Sequence, residues 1–275
     1  MHRFLQLQVR PVDKKNMILK RLIRTIFILV PIALLAFQLF WPSPVPKQPK
    51  LHIALKAMLP PLGFIFHYID FNQKNALAKW EEKIFQGKSA YWIEFKDSSG
   101  YLHSLSKSTA SAIFYRIKYN INDYPYVSWK WKIEQFPPKK NITDPKKKDD
   151  FAARFYLVFL SKFFTGFRCV EYVWDETLPE ETVLISPYSD QIKQIVIQSG
   201  KSPANKWISE TRNVAQDYEK LFGEKPKMKV SAIALMTDSE GSNAQAEAFF
   251  DDIQIGKSAT ERNGSASNFG GKGKP

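Results

Sequence analysis

The sequence predicts a mainly β protein: an antiparallel β-sandwich with one or two short helices and an N-terminal transmembrane helix. Three observations carry this. Ten short stretches rich in branched and aromatic residues alternate apolar with polar side chains between turn formers, the grammar of two packed sheets. Only two stretches read as helices, too few for a series of β-α-β units, which disfavours a parallel doubly wound sheet. Residues 25–41 form an uncharged apolar run of seventeen, long enough to cross a bilayer core.

That run sets the compartment. Leu22 and Ile23 extend it across Arg24, whose long side chain can reach the interface. Seven Lys/Arg precede or open it against Asp13, whereas Lys47, Lys50 and Lys56 follow it closely, so the positive-inside rule places Met1 in the cytoplasm and the later domain outside. Phe40, Trp41 and Pro42 offer no small-x-small cleavage site, so the segment reads as an uncleaved signal-anchor. The expected organisation is a basic cytoplasmic segment at 1–21, the anchor at 22–41, and a proline-rich stalk with an apolar juxtamembrane segment at 42–65. A β-sandwich follows at 66–256, then a disordered Gly/Ser/Asn/Lys tail at 257–275.

The strands are expected at 66–71, 90–95, 101–105, 112–119, 126–133, 151–160, 169–174, 194–198, 230–237 and 248–255. Helices are expected at 73–85, which is rich in helix formers and ends before Gly87, and at 208–222, where Val214, Tyr218, Leu221 and Phe222 recur at helical spacing before Gly223. The stretch 149–159 is the centre of the plan. Two carboxylates, Asp149 and Asp150, open a strand whose single charge, Arg154, needs a fixed carboxylate partner from that pair or a neighbouring strand.

Composition excludes several functions. The net charge of +13 suggests a nucleic-acid binder, but residues 1–50 hold nine Lys/Arg against Asp13, and 257–275 hold four against Glu261. That leaves residues 51–256 near neutrality, without the basic excess nucleic acid demands. Cys169 is the only cysteine, which rules out an intramolecular disulfide framework and a cysteine zinc cluster, and it reads as a small buried hydrophobe. No His-x-His, His-Glu-x-x-His, Gly-x-Ser-x-Gly or phosphate-binding glycine loop is present, so metallohydrolase, triad and nucleotide chemistry find no machinery and no catalytic residue is assigned.

Binding chemistry has more candidates. Trp129 and Trp131 share a strand face with Val127 and Ile133, which reads as core, although two indoles on one face also suit sugar stacking. Trp92 poses the same choice. Trp174, at a strand end, and Trp207, before a helix, are the candidate exposed aromatics. Asp150, Arg154, Arg212 and Asp238 complete the candidate ligand-binding set. Asp238 and Glu240, with Asp251 and Asp252 on the last strand, are the candidate cation ligands, and calcium is the ion their oxygens would suit. Glu134, Asp150, Glu171, Asp175, Asp238 and Glu247 are the carboxylates that folding could pair for glycoside hydrolysis.

Taken in order, Trp80, Phe85-Gln86-Gly87, Tyr91, Ser108-x-x-Ser111, Pro125, Ser128-Trp129-Lys130-Trp131, Asp149-Asp150-Phe151-Ala152-Ala153-Arg154, Tyr172-Val173-Trp174, Arg212-Asn213-Val214, Asp217-Tyr218, Phe222-Gly223, Met236-Thr237-Asp238-Ser239 and Asp251-Asp252-Ile253 resemble the bacterial family called domain of unknown function 3047. The closing Phe-Asp-Asp-Ile strand also resembles galactose-binding-like jelly rolls. The resemblance implies an exported or envelope protein. The expectation is a non-catalytic module on the bacterial cytoplasmic membrane, facing the periplasm and binding an envelope polysaccharide or other envelope component. The alternatives are a carboxylate-based glycan hydrolase or lyase, and a structural protein docking an envelope partner through residues 51–66.

Overall fold

The computed structural model describes residues 65–161 and 166–257. The expected cytoplasmic segment, anchor, stalk and tail lie outside the described residues, except for Ile65 and Lys257 at their borders. Among the described residues no helix is long and apolar enough to cross a membrane.

Among the described residues thirteen strands run in chain order: β1 (Ile65–Ile69), β2 (Trp80–Gln86), β3 (Ala90–Lys96), β4 (Ser99–Lys107), β5 (Ala110–Tyr119), β6 (Tyr126–Gln135), β7 (Ala153–Leu160), β8 (Phe167–Asp175), β9 (Val183–Ile185), β10 (Ile192–Ser199), β11 (Ile208–Asn213), β12 (Lys229–Asp238) and β13 (Gln245–Gly256). One sheet has the order β11-β6-β13-β4-β3 with β1 also on β13, and the other has the order β2-β5-β12-β7-β8-β10-β9. The expected central strand is indeed the middle strand of the larger sheet. Each of the ten expected strands has a counterpart.

The two sheets meet through the side chains that alternation sends inward. Trp129 and Trp131 are 1% and 0% exposed, so they belong to the core. Trp129 stacks on Phe155 of the opposite sheet at 4.3 Å, and Trp131 packs 5.9 Å from Trp174. Phe250, Leu102, Leu157, Phe159 and Tyr172 fill the same layer, and burying such large aromatics is the main stabilising term of the fold.

Three expectations need correction. Residues 80–85, expected to be helical, lie in β2, antiparallel to β5 with Trp80 opposite Tyr115. Their helix-forming composition yields to an open sheet edge, where Trp80 packs against the core and Glu82 accepts from the Ser111 hydroxyl at 2.9 Å. Only a 3-10 turn at Ala76–Lys79 remains of that helix. The second helix, α1 (Val214–Phe222), starts later than expected because Ile208–Asn213 pair with β6 first. The Asn213 side chain caps it by accepting from Gln216 N–H, and Gly223 closes it at φ 70°. Finally, the sandwich is not wholly antiparallel. After β8 the chain passes to the sheet edge as β9 and turns back into the gap as β10, which therefore runs parallel to β8 and antiparallel to β9.

β13 organises the smaller sheet. It pairs with β6 on one side, and on the other with β4 over its first half and β1 over its second. The handover falls at an irregularity after Asp251, where Asp252 takes φ 52°, a left-handed conformation an aspartate tolerates better than most residues.

Candidate functional site

Arg154 stands on the outer face of the larger sheet yet is 4% exposed. Its Nη2 donates to the Asp149 main-chain oxygen at 2.5 Å and lies 3.1 Å from Asp149 Oδ2. Its Nε is 3.1 Å from Asp238 Oδ1 and 3.4 Å from Glu171 Oε1, and Nη1 donates to the Tyr156 hydroxyl at 3.0 Å. Asp149 and the neighbouring strands β8 and β12 thus supply the partners. Asp150 does not. Fully buried, it accepts instead from the main-chain N–H groups of Gly241 at 3.1 Å and Ser242 at 2.6 Å. Burial raises Glu171 to about 7 against the pull of Arg154. Burial also pushes Asp238 well above the usual carboxylate range, with Arg154 again opposing it. Burial and the charge of Asp150 raise Glu240 to about 7.

The other expected residues fall elsewhere. Arg212 forms a separate network, donating to Asp217 through Nε at 2.9 Å and Nη2 at 2.7 Å and to Glu181 through Nη1 at 2.6 Å. Trp174, expected to be exposed, is fully buried. It follows Val170 and Tyr172 on the inward face of β8, and its Nε1 donates to Gly200 O at 2.9 Å. Asp251 and Asp252 lie on the smaller sheet, away from Asp238 and Glu240 on and after β12. There Asp252 accepts from Tyr68 at 2.5 Å and pairs with Lys130 at 2.6 Å. Cys169 is buried, which pushes its thiol far up.

The outer face of the smaller sheet holds an assembly the sequence did not announce. Pairing across the strands sets Lys132 of β6 opposite Phe249 of β13, Phe249 opposite His103 of β4, and His103 opposite Trp92 of β3. Trp207, just before β11, completes the row at 6.4 Å from Phe249 and 5.5 Å from Tyr101. The rings touch in series. Trp92 lies 3.9 Å from His103, His103 lies 4.2 Å from Phe249, and Lys132 Nζ lies 3.9 Å from the Phe249 ring. Phe249 and His103 form a covered floor, 3% and 8% exposed, while the two indoles are 37% and 40% exposed.

Polar groups fill the spaces. His103 Nδ1 is 2.6 Å from Glu94 Oε2 and Nε2 is 2.6 Å from Glu247 Oε1, and Tyr101 donates to Glu94 at 2.8 Å. The hydrogen bond from His103, helped by that from Tyr101, lowers the Glu94 carboxyl against the opposing effect of burial. Chemically this is an apolar strip of mutually tilted rings with partly exposed indoles at its ends and carboxylates and an ammonium beside it. Trp207 was a sequence candidate and Trp92 an open one. Phe249 was legible in principle, since two consecutive phenylalanines on a strand cannot both face the core.

Fold and site together define a two-sheet β protein with an aromatic row on one outer sheet face. The chain belongs to the family described as protein of unknown function (DUF3047), whose model matches residues 78–254. No curated protein matches it. Among solved structures it is similar to a carbohydrate-binding module described for specific mannan recognition, at 8% identity over 71% of this chain and 98% of that one, with a TM-score of 0.32. It is also similar to CBM28, a module described as specific for non-crystalline cellulose, at 11% identity over 69% and 94% with a TM-score of 0.37. A third is a cellulase derived from Cel12A of Rhodothermus marinus, at 10% identity over 66% and 94% with a TM-score of 0.41.

Proposed function

We propose that the protein is a non-catalytic module that binds a glycan of the cell envelope on the outer face of its smaller sheet. The observation that carries this reading is the row Trp92–His103–Phe249–Trp207, in which the two end indoles keep more than a third of their surface open. An indole face complements the C–H face of a pyranose, and fixed carboxylates such as Glu94 and Glu247 accept from sugar hydroxyls. The apolar run at 22–41 anchors the domain in the bacterial cytoplasmic membrane with Met1 inside and the sandwich in the periplasm.

A glycan array probed with the full chain in detergent tests the binding. The expected result is retention of at least one envelope polysaccharide and its loss in the Trp92→Ala/Trp207→Ala double variant. No retention of any polysaccharide, or undiminished retention by the double variant, overturns the reading. A carboxylate-based hydrolase or lyase is the second reading, favoured by Glu94 and Glu247 on either side of the His103 ring. Sugar turnover that disappears in Glu247→Gln would establish it. For location, a C-terminal alkaline phosphatase fusion is expected to be active, and an inactive one refutes the orientation.

A further inference from the structure

The carboxylates at the mouth of β7 outnumber what they have to bind. Among the described residues, Arg154 is the only side-chain cation within ion-pair distance of Asp149, Glu171 or Asp238, and neither Asp150 nor Glu240 has one. Five carboxylates therefore gather around one guanidinium that meets only three of them, in a place from which water is largely excluded, an arrangement costly unless further positive charge enters.

The geometry says where. One carboxylate oxygen each from Asp150, Asp238 and Glu240 lies within 4.8 Å of the others. Two oxygens bound to one calcium-sized ion at about 2.4 Å are at most about 4.8 Å apart, so the spacing admits a common ion. Independently of that spacing, Asp238 is 1% exposed and has a buried oxygen with no hydrogen-bond partner. Its Oδ1 is occupied by Phe151 N–H at 3.0 Å and by Arg154, while Oδ2 has no hydrogen-bond donor among the described residues. Glu240 Oε2 is in the same condition. The loop that carries Glu240 is held tightly, because a Cβ at Gly241 would lie 2.5 Å from the Lys147 carbonyl oxygen.

We propose that Asp150, Asp238 and Glu240 hold one hard divalent cation of the calcium class, which fixes the 238–242 loop to the turn before β7. An all-oxygen, all-carboxylate set selects such an ion over zinc or copper. The site lies on the sheet that does not carry the aromatic row, and it stands independently of the glycan reading. Asp251 and Asp252 take no part in it.

The test is calorimetric titration of calcium chloride into the EDTA-stripped full chain in detergent, paired with thermal unfolding. Wild-type protein is expected to bind one calcium ion saturably and to unfold at a higher temperature when loaded. Glu240→Gln, at a partly exposed position, is expected to keep the apo fold by circular dichroism and to weaken binding at least about tenfold. Asp251→Asn is expected to bind as wild type does. No heat and no thermal shift in the wild-type protein up to about 10 mM calcium, or undiminished affinity in folded Glu240→Gln, overturns the assignment.

Discussion

Arg154 Nε lies 3.1 Å from Asp238 Oδ1, and this contact joins the middle strand of the larger sheet to its neighbour β12. Both residues are buried, and Asp149 and Glu171 close around the same guanidinium. Replacing the arginine by a chain of similar length without charge leaves these carboxylates unpaired. Arg154→Met is expected to lose about 3–5 kcal/mol of unfolding free energy, measured by urea titration at neutral pH. A loss under about 1 kcal/mol would mean that the cluster is already neutralised by protons.

The aromatic row predicts a different separation of effects. Trp92→Ala and Trp207→Ala each remove a half-exposed ring, so each is expected to weaken glycan binding by about tenfold while moving the unfolding midpoint little. Isothermal titration with a polysaccharide retained on the array, alongside thermal unfolding, reads both quantities. A large stability loss without an affinity loss would reassign the rings to packing.

Trp174 should behave in the opposite way. It is fully enclosed between the sheets and donates to Gly200 O, so Trp174→Ala is expected to cost about 3–5 kcal/mol. Glycan affinity of the folded fraction should be unchanged. Denaturant titration and binding at a permissive temperature distinguish the two.

Asp251 predicts a pH dependence. Burial, and then the charge of Asp252, raise its carboxyl to about 7. The folded state therefore holds a proton that the unfolded chain has already released between about pH 4 and 7. Stability from this group is fully present below that window and falls as pH rises through it. Asp251→Asn removes the loss, and is expected to stabilise the protein above pH 7 by on the order of 2 kcal/mol. Unfolding curves at pH 5 and 8 check this, and equal wild-type-to-variant differences at the two pH values would refute it.

Much of the fold was legible because alternation is a strong signal wherever one face of a strand is buried. Val127, Trp129, Trp131 and Ile133 read as core and are core. β2 was misread because its residues favour helix locally, and the pairing with β5 that decides the matter is remote in sequence. Trp174 was misplaced for a related reason: a position near a strand end says nothing of which face it occupies. The aromatic row was hidden because Trp92, His103, Phe249 and Trp207 come from four separate segments, and only strand order and register align them. Arg154 needed a carboxylate by charge alone, but which ones would meet it depended on β8 and β12 flanking β7.

The return of the chain into the gap beside β8 leaves β9 as one border of the larger sheet. That border is three residues long, with Val183 and Ile185 exposed and Pro179 and Pro187 on either side. A longer apolar border would offer a ladder of free amide and carbonyl groups to another molecule. Proline supplies no amide hydrogen, so an incoming strand could add only a few bonds before the ladder ran out. A border as short as β9 thus gives little purchase for edge-to-edge self-association.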